Sequence, residues 1–364
     1  MATLKAVLDF LDNLAPRQLQ ESYDNAGLIT GYPGMEVTGV LISLDCTEAV
    51  VEEAIGKRCN VIIAHHPIVF KGLKSLTGKD HVERTIIRAI KNDIAIYAIH
   101  TNLDNVSGGV NNKLAGLLGL TNLRILRPLK NLQKLVTFIP GNDTRKVLDA
   151  LHAAGAGNIG NYSECSFNVS GKGYFKPNAA ANPTIGRQNV REEVIEDRVE
   201  VIFPGHLTTP VLAALREAHP YEEVAYYLTA LENTNQEAGA GMLGDLPAAL
   251  APEAFLEHLK TRLGLACIRH TDFTRPIKKV AVCGGAGSFL LPDALRQKAD
   301  AFVTGDVKYH DFFAAEDRLM YCDVGHYESE VATKELLYDS LTKKFTNFAL
   351  HLSECVTNPI KYYN

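Results

Sequence analysis

No run of apolar residues in this chain approaches the length that a membrane-spanning helix needs. Nor is there a block of Lys and Arg able to track a phosphate backbone, and a formal net charge of -5 leaves no electrostatic footprint for nucleic acid. The seven cysteines (Cys46, Cys59, Cys165, Cys267, Cys283, Cys322 and Cys355) include no CxxC pair. An odd, scattered set, several of them in apolar strand-like runs, argues against a disulfide scaffold and for reduced, buried thiols; a reducing cytoplasm is the expected compartment. Basic residues are sparse at the N-terminus, where Met1 to Leu14 has one Lys and carries Asp9 and Asp12 among apolar positions. An amphipathic helix is expected there rather than a secretion signal. With 364 residues, 46% hydrophobic and 22% charged, the chain has ordinary globular composition and is too long for one small core, so two or three domains are expected.

What is present is a short apolar run, Val61 to Ala64, that stops at His65, His66 and Pro67. The run reads as a buried strand, and Pro67 cannot continue a ladder, so the histidines sit at its carboxyl end. Neighbouring side chains at a strand end point in different directions, so such a pair can serve two metal ions rather than chelate one. Imidazole is the commonest protein ligand for first-row metals near neutral pH.

Around this run strands and helices alternate: a strand at 37–44, a helix at about 47–58, a helix through 82–91 and a strand at 94–99. That pattern predicts a parallel or mixed sheet covered by helices. From about Pro276 a similar order returns, with strands at 279–283, 301–303 and 319–322 and helices at 288–298 and 310–316. Laid over one another, the two stretches look like an internal duplication. Ala64-His65-His66 falls where Thr304-Gly305-Asp306 falls, and His100-x-x-x-Asp104 matches His326-x-x-x-Glu330. Two half-sheets with polar groups at their carboxyl ends place those groups around a shared cleft. The middle differs in texture. Its elements, a strand at 133–140, a helix at 143–154, strands at 162–169 and 198–203, a helix at 209–218 and a strand at 223–231, follow a β-α-β-β-α-β order. A Gly/Pro/Asn-rich loop is expected over 171–188. The order is that of ferredoxin-like domains. The expected fold class is therefore α/β, two pseudo-duplicated halves at 1–128 and 236–364 forming one dimetal domain, with a ferredoxin-like α+β domain inserted at 129–235. Exposed joins are expected near Pro128 and over 233–241.

His326 and Glu330 open a helical pattern that continues from Tyr327 to Phe345, and residues four apart share one helix face. A solvated His/Glu pair is the plain alternative. Against it, His326 follows Asp323-Val324-Gly325 at the end of an apolar strand, so this face meets the sheet. Asp104 can be a turn former, since Gly108-Gly109 follow, or a ligand. Together His65, His66, Asp104, His326 and Glu330 form a thiolate-free His/carboxylate set, unlike a zinc-finger-like structural site, of the kind dinuclear hydrolytic centres use.

Four segments, Ser22-Tyr23-Asp24-Asn25-Ala26-Gly27-Leu28, Ala64-His65-His66-Pro67, His100-Thr101-Asn102-Leu103-Asp104 and Gly325-His326-Tyr327-Glu328-Ser329-Glu330, together resemble the NIF-three-like family, whose bacterial members are labelled GTP cyclohydrolase I type 2 homologues. The resemblance covers both outer portions. It implies that His65, His66, Asp104, His326 and Glu330 hold two divalent cations, with Glu330 bridging, and that the chain assembles as a toroidal homohexamer. The middle resembles the insert of longer bacterial members, a fold similar to CutA and the nitrogen-regulatory P-II proteins, through Tyr162-Ser163-Glu164-Cys165-Ser166-Phe167 and His219-Pro220-Tyr221-Glu222-Glu223.

Other candidates are weaker. Gly284-Gly285 lie in a glycine-rich strand-to-helix turn, which is either structural or a substrate phosphate subsite; without a P-loop Lys it does not read as an ATP site. Thr304-Gly305-Asp306 and Tyr309-His310 are placed beside the histidine pair's counterpart and can either stand behind a ligand or contact substrate. Tyr23 and Asn25 can line the same cleft, though Asp24-Asn25 can also form an Asx turn. His100 and His310 are the candidates for proton transfer, and His100 can alternatively orient a ligand. His206 and His219 are expected at the insert's surface or in its packing.

Two functions follow. One is a metal-dependent hydrolase acting on a nucleotide-like or phosphorylated small molecule, with zinc, iron, manganese or cobalt equally suited to the donor set. The family label points to GTP ring opening, although no residue selects guanine. The other is a non-enzymatic metal carrier or regulatory scaffold with a small-molecule-sensing insert.

Overall fold

The structure is a computed structural model that describes residues 2–363, so Met1 and Asn364 lie outside the described residues. The chain forms two compact units, Met1–Pro128 with Glu237–Asn364, and Leu129–Gln236. Among the described residues no helix is long and apolar enough to cross a membrane.

The first unit contains two sheets. In one, Val61–Ala64 lies between Gly39–Ser43 and Ala95–Ala98 and is parallel to both, with Ile42, Ile63 and Tyr97 in register. Ala349–Leu352 extends this sheet in parallel beside Gly39–Ser43, and Gly27–Thr30 closes the other edge antiparallel to Ala95–Ala98. The run reads as continuously apolar because both faces are covered. Val61 and Ile63 pack against Leu4, Val7, Leu11, Leu337 and Leu341, whereas Ile62 and Ala64 pack against Val50, Val51, Ile86 and Ala89. Each fully buried Leu or Ile contributes about 1.5–3 kcal/mol. In the second sheet Ile277–Ala286, Ala301–Gly305 and Met320–Asp323 run parallel in chain order, with Arg269–His270 antiparallel at one edge. Asn235–Leu250 pairs antiparallel with Ile277–Ala286, and Thr121–Leu129 lies beyond it.

Those last two long strands occupy segments expected as exposed joins. Glycine explains the difference. A Cβ at Gly239 would strike the Arg127 carbonyl and Pro128 Cα, and one at Gly244 would strike Leu123 and the Thr121 carbonyl. The glycines that suggest a loop instead let neighbouring strands close on one another. A second difference lies at 327–345, which is not one helix. His326–Glu330 and Thr333–Lys344 are separate, offset at Val331 and Ala332. Ser329 Oγ donates to the His326 carbonyl, a local bond that competes with helix continuation. The short helix thereby orients its side chains independently of the longer one.

The loop after His65 and His66 is fixed from its far end. Asp80 caps helix His81–Lys91 by accepting from Glu83 N at 2.9 Å, and the buried Glu83 carboxylate reaches back to the backbone N–H groups of Thr77, Gly78 and Lys79. Asp80 and Glu83 hold the capping-box positions, but Glu83 bonds the preceding loop in place of the Asp80 N–H.

The second unit is a four-stranded antiparallel sheet in the order Ser166–Phe175, Glu192–Pro204, Leu132–Pro140, Tyr226–Ala230. Helices Thr144–Ala153 and Thr208–Ala218 cover one face over Leu135, Ile139, Val199, Val201 and Phe203. The strand expected at 162–169 instead runs over Ser166–Phe175, straight through Gly171 and Gly173.

Candidate metal centre

The parallel strands of both sheets deliver their carboxyl ends to one cleft. Val61–Ala64 ends at His65 and His66, Ala95–Ala98 leads through His100 into the short helix Thr101–Asp104, and Met320–Asp323 leads through Gly325 into His326–Glu330. Gly325 turns the chain at φ +90°, a conformation that favours glycine.

Four imidazoles meet here, and each has Nδ1 fixed from outside. His65 Nδ1 donates to the Ile99 carbonyl at 2.8 Å, His66 Nδ1 to Asp45 at 2.7 Å, His100 Nδ1 to Asp24 at 2.8 Å and His326 Nδ1 to Asp306 at 2.8 Å. A carbonyl or carboxylate oxygen only accepts, so each Nδ1 carries the proton. Orienting partners of this kind fix ring tautomer and direction at metal sites.

Glu330 is the hub. Its Oε2 lies 2.9 Å from His66 Nε2 and 3.0 Å from His326 Nε2, while its Oε1 faces His65 Nε2 at 3.9 Å. His65 Nε2 in turn lies 3.5 Å from Asp104 Oδ1. Two ligand triads result, His66/His326/Glu330 and His65/Asp104/Glu330, each able to hold a metal ion and both using Glu330; His65, His66 and His100 form a further close group. Gly285 makes this possible. It adopts φ +61°, and a Cβ there would run into Glu330 Oε1.

The electrostatics follow from proximity. Burial pushes the Glu330 carboxyl up, but the contacts from His326 and His66, with His65 close by, outweigh it and hold Glu330 well below the usual carboxylate range. Burial, and then the Glu330 charge, push Asp104 well above that range, because two carboxylates this close resist ionising together. Burial lowers His65. It also opposes charge on His66 and His326, yet Asp45 with Glu330, and Glu330 with Asp306, raise them to about 10 and about 9. Cys283 lines the cleft as a thiol, pushed up by burial and then by Asp104 and Glu330.

The donor set fits a divalent cation. His65 Nε2 and Asp104 Oδ1 are buried and have no hydrogen-bond partner among the described residues. Each such orphan costs about 1–3 kcal/mol unless something satisfies it. Mixed imidazole and carboxylate donors without thiolate suit zinc, iron, manganese or cobalt.

The cleft has a volume of about 900 Å³, with Tyr23, Phe70, His81 and Phe289 on its walls and His66, Asp104, His326 and Glu330 in its lining. Of the other candidates, His100 lines it, whereas Asn25 bonds the Val69 carbonyl and does not. Asp306 holds His326 rather than facing the cleft. Gly285 accommodates Glu330 and donates its N–H to Ser329 Oγ. His310 is exposed on a 3-10 helix, edge-on to Tyr309 and stacked near Phe313, and is not part of the lining. The turn after Asp306 carries it outward, so sequence order alone misplaced it.

Sequence reasoning named Asp306 but missed Asp24 and Asp45 as acceptors. Asp24, which was open to reading as an Asx-turn residue, is a buried side chain that binds His100, Thr101 N and Thr101 Oγ1; these bonds overcome burial and hold it at about 2. Asp45 binds His66 with one oxygen and accepts from Thr357 with the other at 2.5 Å. The place of Asp45 just past the end of Gly39–Ser43 was the available signal for it, whereas Asp24, ahead of Gly27–Thr30, offered none. All seven cysteines are free, and Cys46, Cys59, Cys283 and Cys322 are buried.

With the geometry in place, known proteins can be set beside it. A curated relative from Halalkalibacterium halodurans, named GTP cyclohydrolase 1 type 2 homolog, is 38% identical over 100% of this chain and 99% of its own. One of the same name from Bacillus subtilis is 36% identical over 98% of this chain and 97% of its own. Among solved structures, a Bacillus cereus protein described as related to NIF3 superposes with a TM-score of 0.86 at 37% identity, covering 100% of this chain and 99% of that one. A Staphylococcus aureus protein gives a TM-score of 0.80 at 31% identity, with the same coverage. The family description Duf34/NIF3 (NGG1p interacting factor 3) matches residues 2–359. This chain therefore belongs to the Duf34/NIF3 family.

Proposed function

We propose that the chain is a hydrolase that holds two divalent cations and acts on a nucleotide-like or phosphorylated small molecule. The observation that carries this reading is that two ligand triads share one carboxylate, Glu330, at the base of an open cleft. His66 and His326 complete one position, His65 and Asp104 the other. Bound there, divalent cations supply Lewis acidity and activate water at neutral pH. The chain's own groups do the rest. Asp45, Asp306 and the Ile99 carbonyl hold the ligating imidazoles in one tautomer. His100, anchored by Asp24, is aimed into the cleft and is the group placed to carry a proton. Tyr23, Phe70 and Phe289 offer flat apolar faces to a ring. GTP, suggested by the relatives' name, is the first substrate to try.

The test is turnover of GTP, other nucleotides and phosphoesters by metal-stripped, metal-loaded and Glu330→Ala protein. Activity is expected only in the loaded wild type. Activity that survives Glu330→Ala refutes this centre as its source.

A metal-binding carrier or regulatory scaffold is the second reading. It is favoured by the separate unit Leu129–Gln236, with its own core and cavity. We propose that this unit is an inserted ferredoxin-like domain of the CutA/P-II type, on the basis of its β-α-β-β-α-β order and antiparallel pairing. The two outer segments read as duplicated halves because each contributes three parallel strands in chain order. A toroidal homohexamer is the assembly we propose, and sedimentation velocity tests it. Tight metal binding without turnover on any substrate favours the carrier.

A further inference from the structure

The sheet of the second unit has helices on one face only, and its other face holds a trough that the metal centre does not use. Residues paired across strands share a face, so the register fixes which side chains stand there. Gly171 lies opposite Glu196, which lies opposite Pro140; Val169 lies opposite Arg198, which lies opposite Phe138; Gly173 lies opposite Val194. The floor is thus bare at Gly171, whereas the Glu196 carboxylate covers Gly173. Nothing lies within 4 Å of where a Gly171 Cβ would stand, and its φ is not of the kind that demands glycine. Glycine inside a strand weakens it, and where packing does not require it, it marks a place where something else approaches the backbone.

Aromatic pairs wall the trough on two sides. Phe175 and Tyr221 meet edge-on with centroids 6.0 Å apart, and Phe138 and Tyr227 do so at 5.7 Å. The loop after Phe175 folds over it, tied by Asn182 N to Glu222 and by Thr184 Oγ1 to the Pro220 carbonyl, each at 2.8 Å. The resulting cavity has a volume of about 650 Å³.

One charged group in it is unbalanced. Glu196 is only 8% exposed, and its Oε1 accepts from Tyr221 Oη at 2.9 Å. Its Oε2 leans over Gly173 and has no bonding partner among the described residues. The cations nearby are engaged elsewhere, Arg198 with Glu200 and Lys172 with Glu193. A carboxylate on a largely buried residue, with one oxygen unpaired and open to an aromatic-walled cavity, calls for a donor, and a positive one is best.

We propose that this trough binds a small planar aromatic cation, an amidine or an amino-heterocycle. Its ring lies on the Gly171 backbone between the aromatic pairs, and its N–H groups meet Glu196. The site is independent of the metal centre.

Benzamidine is the probe, with benzoate as its charge-reversed counterpart, followed by saturation-transfer NMR on the full chain. Benzamidine is expected to bind at millimolar concentration or below, with benzoate at least about tenfold weaker. Gly171→Val fills the trough with a side chain that suits a strand and meets no neighbour, so the protein should fold with unchanged metal content yet lose benzamidine. Glu196→Gln should weaken binding about tenfold while leaving the trough open. No benzamidine binding at about 10 mM, equal binding of benzoate, or undiminished binding by Gly171→Val overturns the proposal.

Discussion

Replacing Asp45 by alanine should separate the two proposed metal positions. Asp45 is the acceptor for His66 Nδ1 at 2.7 Å, and His66 Nε2 belongs to the triad completed by His326 and Glu330. Without that acceptor the ring is free to turn, and its Nε2 leaves the triad. The other triad is insulated, because His65 Nδ1 is held by the backbone carbonyl of Ile99, which the substitution does not touch. Losing an outer partner of a ligating histidine weakens metal binding about 10–100-fold, or roughly 1.4–2.8 kcal/mol. Calorimetric titration of metal-stripped protein should therefore show one position weakened by that amount and the other unchanged. Asp45→Asn keeps a carbonyl acceptor and should recover part of the loss. Equal weakening of both positions, or of neither, would refute the assignment of His66 to one triad.

Three further outcomes are expected. Gly285→Ala places a Cβ against Glu330 at φ +61°, so it should lower stability by about 1–2 kcal/mol in denaturant melts and reduce metal content at both positions, since both use Glu330. Asp80→Ala removes the cap of helix His81–Lys91 and should cost about 1 kcal/mol in the same melts. Glu53 is pushed up by burial, but bonds from Glu354 N, Ser353 and Lys57 outweigh this and hold it at about 2, against an ordinary 4.5. A depressed carboxyl stabilises the fold above its unfolded pKa and loses that contribution as pH falls towards its folded one. Wild type should thus lose stability between about pH 4.5 and pH 2 more steeply than Glu53→Gln; identical acid melts would contradict this.

The cluster of candidate ligands was legible in the sequence because polar groups at strand ends leave a local signature: an apolar run stopped by His65-His66-Pro67, and His326 one helical turn from Glu330. Their partners were not. Asp24 and Asp45 become acceptors only when distant chain reaches them, His100 in one case and Thr357 in the other. His310 shows the converse, a histidine in the right place along the chain that the local turn carries outward. The alternating core strands were readable from apolar periodicity. Asn235–Leu250 was not, since Gly239, Gly241, Gly244 and Pro247 imitate a loop until neighbouring strands close over them. Gly171 and Gly173 hid the true extent of Ser166–Phe175 in the same way.

Metal content per chain, measured beside an anomalous difference map of crystals grown with manganese, tests the central claim most directly. Two ions are predicted, one near His66 and His326 and one near His65 and Asp104, with Glu330 between them and neither retained in Glu330→Ala. A folded, metal-soaked protein with no ion among these five side chains would contradict it.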